Sequence, residues 1–261
     1  MPRFFVPPFD GEMVQVGGED GRHIVKSLRC RIGEELWLCD GQGTDFRCTI
    51  TELSGEMAVL RVMERLPCRS ELPVRVTLYQ ALPKSDKLEL IIQKAVELGA
   101  AAIVPVLTSR CVSRPDSRSM EKKLERLSRI SLEAAKQSGR GVVPPVRPLL
   151  TLDQALEEMS RDQRSVLFYE QATEPFGQVL ADHPRSLSVL IGAEGGFDPQ
   201  EVEAARQAGL AVCTMGPRIL RCETAPMYAL SAVGFFYENQ QADRPERGKI
   251  RASFRSFYNM A

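Results

Sequence analysis

At Leu72 the chain changes its hydrophobic period, and that change restricts the fold more than any other feature of the sequence. Up to about Ser70, the short apolar runs EELWLCD, TDFRCTITEL and MAVLRVMERL are separated by the turn sequences GQG and SGE. The alternation in DFRCTITEL and the Asp-Gly-Gln-Gly turn predict antiparallel strands joined by hairpins, a small β-barrel or barrel-like module over residues 1–70. Only GRHIVKSLR reads as helical there. From Leu72 onward strand alternates with helix. VRVTLYQAL is a strand, and KSDKLELIIQKAVELG sets Leu88, Ile91, Ile92, Ala95 and Leu98 on one helical face before stopping at Gly99. AAIVPVL is a buried strand, and SMEKKLERLSRISLEAAKQSG is a helix with Leu124, Leu127, Ile130 and Ala134 inward and a charged outer face. SVLFYE, LSVLIG and LAVCTMG are further strands, each opening onto a loop, and TAPMYALSAVGFFYENQ is the closing helix. The pattern predicts an α/β domain over residues 71–244, its parallel sheet covered on both faces, with ligands at the carboxyl ends of the strands.

Bulk composition narrows the partners. A chain of 261 residues with 43% hydrophobic content can bury one large core or two modest ones. Lys plus Arg equals Asp plus Glu at 34 each, so no global field draws the chain to nucleic acid or membrane. Any polyanion must be held by a local patch, and residues 1–70, with 9 basic and 11 acidic groups, offer Arg3, Arg22, Lys26 and Arg29. Seven scattered cysteines without a C-x-x-C spacing, and only His23 and His183 beside them, predict reduced packed thiols, no metal site and a cytoplasmic location. MPRFFVPPFDGEM lacks a basic start followed by an apolar stretch, and no apolar run reaches the roughly 18 residues of a membrane span, so neither secretion nor insertion is expected. A tail over residues 245–261 mixes Arg247, Lys249, Arg251 and Arg255 with Phe254, Phe257 and Tyr258. That mixture suits either single-stranded RNA or packing on the body.

The loop IGAEGGFDPQE divides at Phe197. Asp198 is a helix cap, Pro199 takes the first helical position and Glu201 completes a capping box, which accounts for FDPQE without a ligand. Gly192, Gly195 and Gly196 let the backbone approach a small molecule closely, with Glu194 beside it. Neither phosphate-binding spacing, G-x-x-x-x-G-K-[ST] or G-x-G-x-x-G, is present, and Glu194 would repel a phosphate, so the loop suits an uncharged or cationic ligand. A second loop, TMGPRILRCETA, carries Ile219 and Leu220 between Arg218, Arg221 and Glu223, before Thr224 caps the last helix. Apolar residues in a loop imply that it is either core or folded over something.

Together IGAEGGFDPQEVEAARQAGL and MGPRILRCETA resemble the paired signatures of the RsmE family, which methylates N3 of a uridine in small-subunit ribosomal RNA. RFF at Arg3–Phe5, HIVKSLR near His23, DGQG at Asp40, ALPKSDKLELIIQKAVELG from Ala81 and EAAKQSGR from Glu133 extend the likeness over nearly the whole chain. The resemblance implies an amino-terminal PUA-like β-barrel and a SPOUT-type domain with a carboxyl-terminal deep trefoil knot. It implies a homodimer whose active site borrows from both subunits, and the small subunit or its RNA as substrate. S-adenosylmethionine would then be held by Gly192, Glu194, Gly195, Gly196, Met215, Gly216, Ile219, Leu220, Thr224 and Ala225, with Ile219 and Leu220 enclosing the adenine. Ala193 stands where the family usually has proline, Cys222 where it has threonine, Leu127 where it has tryptophan and Pro226 where it has a small residue.

Methyl transfer to a ring nitrogen needs alignment and loss of the N3 proton. Arg221 and Arg140 are the expected sources of positive charge at the base or its phosphate, and Glu223 or Glu194 the group that orients or accepts the proton. Two alternatives are a knotted methyltransferase acting on a ribose 2′-hydroxyl and an RNA-binding protein without turnover.

Overall fold

In the computed structural model, which describes residues 3–240, the change of period at Leu72 is the boundary between two sheets. The basic aromatic tail, residues 245–261, lies outside the described residues. The first sheet contains β1 (Arg3–Phe5), β2 (Met13–Val16), β3 (Glu35–Cys39), β4 (Thr44–Ser54) and β5 (Met57–Pro67), in the order β1-β3-β4-β5-β2. The three predicted strands β3, β4 and β5 pair antiparallel, and RFF adds β1 parallel to β3. The predicted helical segment forms α1 (Gly18–Arg22), which continues into one π turn over His23–Ser27.

Period-two burial explains the strand assignment. Phe46, Cys48 and Ile50 of β4 all point inward, onto a core with Phe4, Ile24, Leu36, Leu38 and Leu60. Register shifts at Arg47/Cys48 and Ile50/Glu52 bend β4, as bulges do, so the sheet curls around that core.

The second sheet has seven strands, all paired in parallel. Its elements are β6 (Arg75–Ala81), α2 (Lys87–Glu97), β7 (Ala102–Leu107), α3 (Ser117–Ser138), β8 (Leu150–Thr151), α4 (Leu152–Met159) and β9 (Arg164–Phe168). They continue as β10 (Glu174–Pro175), α5 (Phe176–Ala181), β11 (Ser186–Ile191), α6 (Pro199–Gln207), β12 (Ala211–Thr214) and α7 (Thr224–Gln240). The order is β10-β12-β9-β11-β6-β7-β8. All five strands read from the sequence are present, and two-residue strands extend each edge.

Both faces are covered. Val76 and Leu78 of β6 and Val189 and Ile191 of β11 meet α2, α3, α5 and α7 through Leu88, Ile92, Leu127, Val179 and Leu230. Tyr79 of β6 and Leu190 of β11 point to the opposite face, onto α4 and α6 through Ala155, Met159, Val202 and Ala205. Burial on both sides is why these strands read as continuous apolar runs instead of alternating ones. The helix periods hold as well: Leu88, Ile91, Ile92 and Ala95 of α2 are buried, and Gly99 ends that helix with φ +93°, a left-handed conformation that glycine adopts readily.

Where the two sheets meet, Arg140 is buried. Its Nε and Nη2 donate to the Glu71 carboxylate, and Nη1 donates to the main-chain oxygens of Val96 (2.7 Å) and Ala100 (3.0 Å). Burial pulls the Glu71 carboxyl upward, but hydrogen bonds and charge from Arg140 outweigh it and hold the group below the usual carboxylate range. Stability from this depressed group is therefore present above the ordinary carboxylate pKa and lost as pH falls below it. Cys39 Sγ donates to the Gly141 oxygen (3.1 Å), and a Cβ on Gly141 would lie 2.3 Å from Cys68 Sγ, so only glycine fits this junction. Arg140→Ala is expected to lower stability by about 3 kcal/mol, because it strands a half-buried carboxylate and two carbonyls. A urea denaturation midpoint equal to that of the parent protein would contradict this.

Candidate functional site

Strands β9, β11 and β12 stop at the same edge of the second sheet, and the loops that follow them wall a cavity of about 580 Å³. Its lining comprises Phe168–Glu170 from the end of β9, Ile191–Phe197 from the end of β11, Thr214–Cys222 from the end of β12, Ala225 of α7 and Lys87 at the start of α2. The volume suits a small organic ligand.

The first loop is a tight turn. Gly196 N donates to the Ala193 oxygen (3.0 Å), and Gly196 has φ +64°, in the left-handed region. A Cβ on Gly192 would come within 3.1 Å of Gly196 Cα and 3.2 Å of Phe197 Cε2, so the two ends of the turn pack backbone to backbone. Phe197 is buried beneath it. The second half of the stretch forms the expected cap: Asp198 accepts from Gln200 N (3.0 Å), Glu201 accepts from Asp198 N (2.9 Å), and Pro199 is the first residue of α6. Glu201 also accepts from Ser109 N (2.7 Å), which ties the loop after β7 to this helix. In that loop Arg110 Nη1 donates to the Gly195 oxygen (2.9 Å), supporting the glycine turn from outside.

The second loop is open on its main-chain side. Gly216 N donates to Thr214 Oγ1 (3.1 Å), and the Arg221 oxygen accepts from the amides of Thr224 and Ala225 (2.9 Å each). Among the described residues, no amide from Arg218 to Glu223 donates to another backbone group. The Glu223 amide bonds its own carboxylate, which leaves the amides from Arg218 to Cys222 as donors for a ligand. Leu220 is half-buried against the core, but Ile219 is 88% exposed, which removes the simple core reading for Ile219.

Charge crosses the cavity mouth at Lys87. Its Nζ lies 3.1 Å from Glu194 Oε1 and 3.1 Å from Glu223 Oε2. The Lys84 amide also donates to both oxygens of Glu194 (3.2 and 3.3 Å). Burial raises the Glu194 carboxyl, but its own amide, Lys87 and the Lys84 amide outweigh that and hold it low. Glu223 is held low by its own amide, then by Cys222 and Lys87. Burial, followed by the Glu223 hydrogen bond, pushes the Cys222 thiol up to about 12, so it stays a neutral donor to Glu223.

Most of the expected site residues converge here: Gly192, Glu194, Gly195, Gly196, Met215, Gly216, Ile219, Leu220, Arg221 and Ala225 all line the cavity. Thr224 begins α7 and Glu223 reaches the rim through Lys87. Arg140 is not brought to it. It bonds Val96, nine residues along α2 from Lys87 and so about 14 Å away by helical rise, and its guanidinium is committed to Glu71. The expected RNA patch divides too. Arg3 is mostly buried, paired with Asp45 and donating to Cys68, whereas Arg22 and Lys26 are exposed and share Glu56, and Arg29 is exposed. Lys87, Phe168, Tyr169, Glu170 and Arg110 were not read as site residues. Glu170 had a signal, since SVLFYE opens onto a loop as its neighbours do. Lys87 had none, because a lysine in a helical first turn looks like a solvated surface residue.

A profile described as an RNA methyltransferase domain matches residues 70–234, and one described as an RNA methyltransferase PUA domain matches residues 16–63. The chain is 37% identical over 236 residues to a Bacillus subtilis protein named ribosomal RNA small subunit methyltransferase E, covering 88% of this chain and 92% of the relative. A Mycobacterium bovis protein of the same name is 36% identical over 233 residues, covering 87% and 88%. Among solved structures, the Neisseria gonorrhoeae ribosomal RNA small subunit methyltransferase E bound to S-adenosyl methionine superposes with a TM-score of 0.81 at 33% identity, over 91% of this chain and 98% of that one. A Legionella pneumophila putative methyltransferase in complex with the same cofactor gives 0.77 at 30% identity, over 89% and 96%.

The left-handed turn has a measurable cost for any other residue. Gly196→Ala is expected to lower stability by about 1–2 kcal/mol through the backbone alone. An unchanged thermal midpoint would mean that this turn relaxes to another conformation.

Proposed function

The chain belongs to the ribosomal RNA small subunit methyltransferase E family, and from that premise we propose that it transfers a methyl group from S-adenosylmethionine to N3 of a uridine in small-subunit ribosomal RNA. The observation that carries the reading is the cavity at the strand ends, walled by a glycine turn on one side and by a loop with unpaired amides on the other. Phe168, Ile191, Leu220 and Ala225 give it an apolar lining for an adenine, and the free amides suit the adenine edge and ribose. Glu194 favours a cation and opposes a phosphate. The donor set therefore fits this cofactor better than a nucleotide. When bound, the cofactor supplies an electrophilic methyl group on a sulfonium.

The chain's own residues orient the acceptor. Arg221 lines the cavity and has no ion pair among the described residues, so its charge is available to a uracil oxygen as negative charge develops there. Glu223 and Glu194, held ionised first by their own amides and then by Lys87, are weak proton acceptors, which favours their orienting part over that of general base. Barrel closure of the first sheet and a trefoil knot where α7 packs against α2 and β11 belong to the same reading. So does a homodimer in the cytoplasm. The exposed Ile219, and the exposed Tyr228 on α7, support a second copy packing on this chain. Among the described residues, no helix is long and apolar enough to cross a membrane.

The deciding experiment incubates unmodified small subunits, and separately naked RNA, with methyl-labelled cofactor, then digests the product to nucleosides for mass spectrometry. N3-methyluridine is expected. A ribose 2′-O-methyl product would replace this reading with the other transferase, and absence of both transfer and cofactor binding would favour an RNA-binding protein without turnover. Arg221→Ala is expected to lower kcat about 100-fold while the cofactor Kd stays within about twofold, so a near-parental kcat removes Arg221 from the chemistry. On the first domain, replacing Arg22 and Lys26 together by alanine should flatten the log K against log salt slope of RNA binding by about two. An unchanged slope would place the phosphate contacts elsewhere.

A further inference from the structure

Lys87 is the first residue of α2, yet it touches both walls of the cavity. Its ammonium lies 3.1 Å from Glu194 of the loop after β11 and 3.1 Å from Glu223 of the loop after β12, and 3.8 Å from Cys222 Sγ. The two carboxylate oxygens are thus no more than about 6 Å apart, with a single cation between them. Because α2 packs against both α3 and α7, the ammonium is offered from a packed helix and not from a third loop. Building on the reading above, we propose that Lys87 is a positioning residue for methyl transfer, whose ammonium holds Glu194 and Glu223 at one spacing and leaves a single net negative charge toward the cationic cofactor.

The neighbouring charges are compatible with that role. Cys222 remains a neutral thiol, and Arg110 is committed to the Gly195 oxygen and Asp198. Glu170 faces Gly196 from the loop after β9, while Arg218 and Arg221 line the same cavity and are not paired with either carboxylate. Lys87 is therefore the one cation, among the described residues, paired with both Glu194 and Glu223. Without it, two like charges share a partly enclosed site, and one carboxylate takes up a proton at a higher pH than before.

The test is cofactor affinity by calorimetry on the full chain at pH 5.5 and pH 7.5. The parent protein should bind S-adenosylmethionine with similar Kd at both. Lys87→Met should bind about 1.5- to 2-fold more weakly at the lower pH than at the higher, because a carboxyl raised about one unit above its ordinary value near 4.3 is roughly 40% protonated at pH 5.5. Lys87→Arg should restore the parental pH dependence. The double variant Lys87→Met, Glu223→Gln, which removes the like-charge pair along with its counter-ion, should also bind with a flat profile, and it supplies the reading if the single variant does not fold. A Lys87→Met protein with the parental pH dependence, or a double variant as pH-sensitive as the single one, overturns the proposal. A parent protein that binds no S-adenosylmethionine overturns instead the functional reading on which it rests.

Discussion

A parallel strand can be followed by another only if the chain crosses back over a face of the sheet. In the second domain every pairing is parallel, so the crossings place α2, α3, α5 and α7 on one face and α4 and α6 on the other. Helices thereby bury both surfaces of the sheet and leave its carboxyl edge uncovered. Neighbouring strands lie about 4.8 Å apart, so the loops leaving β9, β11 and β12 emerge within reach of one small molecule. Strand register also sets where they begin: Ile191 is paired with Gln80, and Gln80 Nε2 donates to the Gly192 oxygen just beyond the ladder. The cavity is thus a consequence of how the sheet is covered, and the loops only shape its walls.

Those walls use different chemistry. The turn after β11 is closed upon itself, with its glycines packed backbone to backbone and Phe197 filling the space below. The loop after β12 keeps its amides from Arg218 to Glu223 out of backbone pairing and presents an exposed Ile219. A closed turn on one side and an open loop on the other thus frame the cavity. The ion pair through Lys87 spans the mouth between them, while Arg140 and Glu71 perform a structural task at the other end of α2.

Much of this was legible in the sequence, because the forces responsible are local. The capping box at Asp198 and Glu201, the stop at Gly99 and the inward face of α2 follow from hydrogen bonds and side-chain spacing within one or two helical turns. The apolar runs of β6, β7, β9, β11 and β12 announced strands buried on both faces. The surroundings of Arg140 were not legible, for an equally physical reason. EAAKQSGR places a cation just past a helix end, and nothing within the segment reveals that Glu71, 69 residues earlier, neutralises it in a buried pocket. Arg3 differs from its expected role in the same way, since its partners Asp45, on β4, and Cys68, just past the end of β5, are distant in sequence.

By itself, the sequence determined that the hydrophobic period changes near Leu72, that an α/β sheet follows, and that IGAEGG and MGPRILRCETA are loops leaving strand ends of that sheet. Each of these follows from periodicity, turn chemistry or a motif contained in one segment. Only the tertiary structure decided which charges are free to act. Lys87, 107 residues before Glu194 in the chain, meets it because β6 and β11 are hydrogen-bonded neighbours. Arg140 and Arg3, equally basic in sequence, are neutralised by carboxylates that the fold brings to them. Whether a charged side chain serves a ligand or the fold depends on which opposite charge reaches it first through space, and linear order does not specify that.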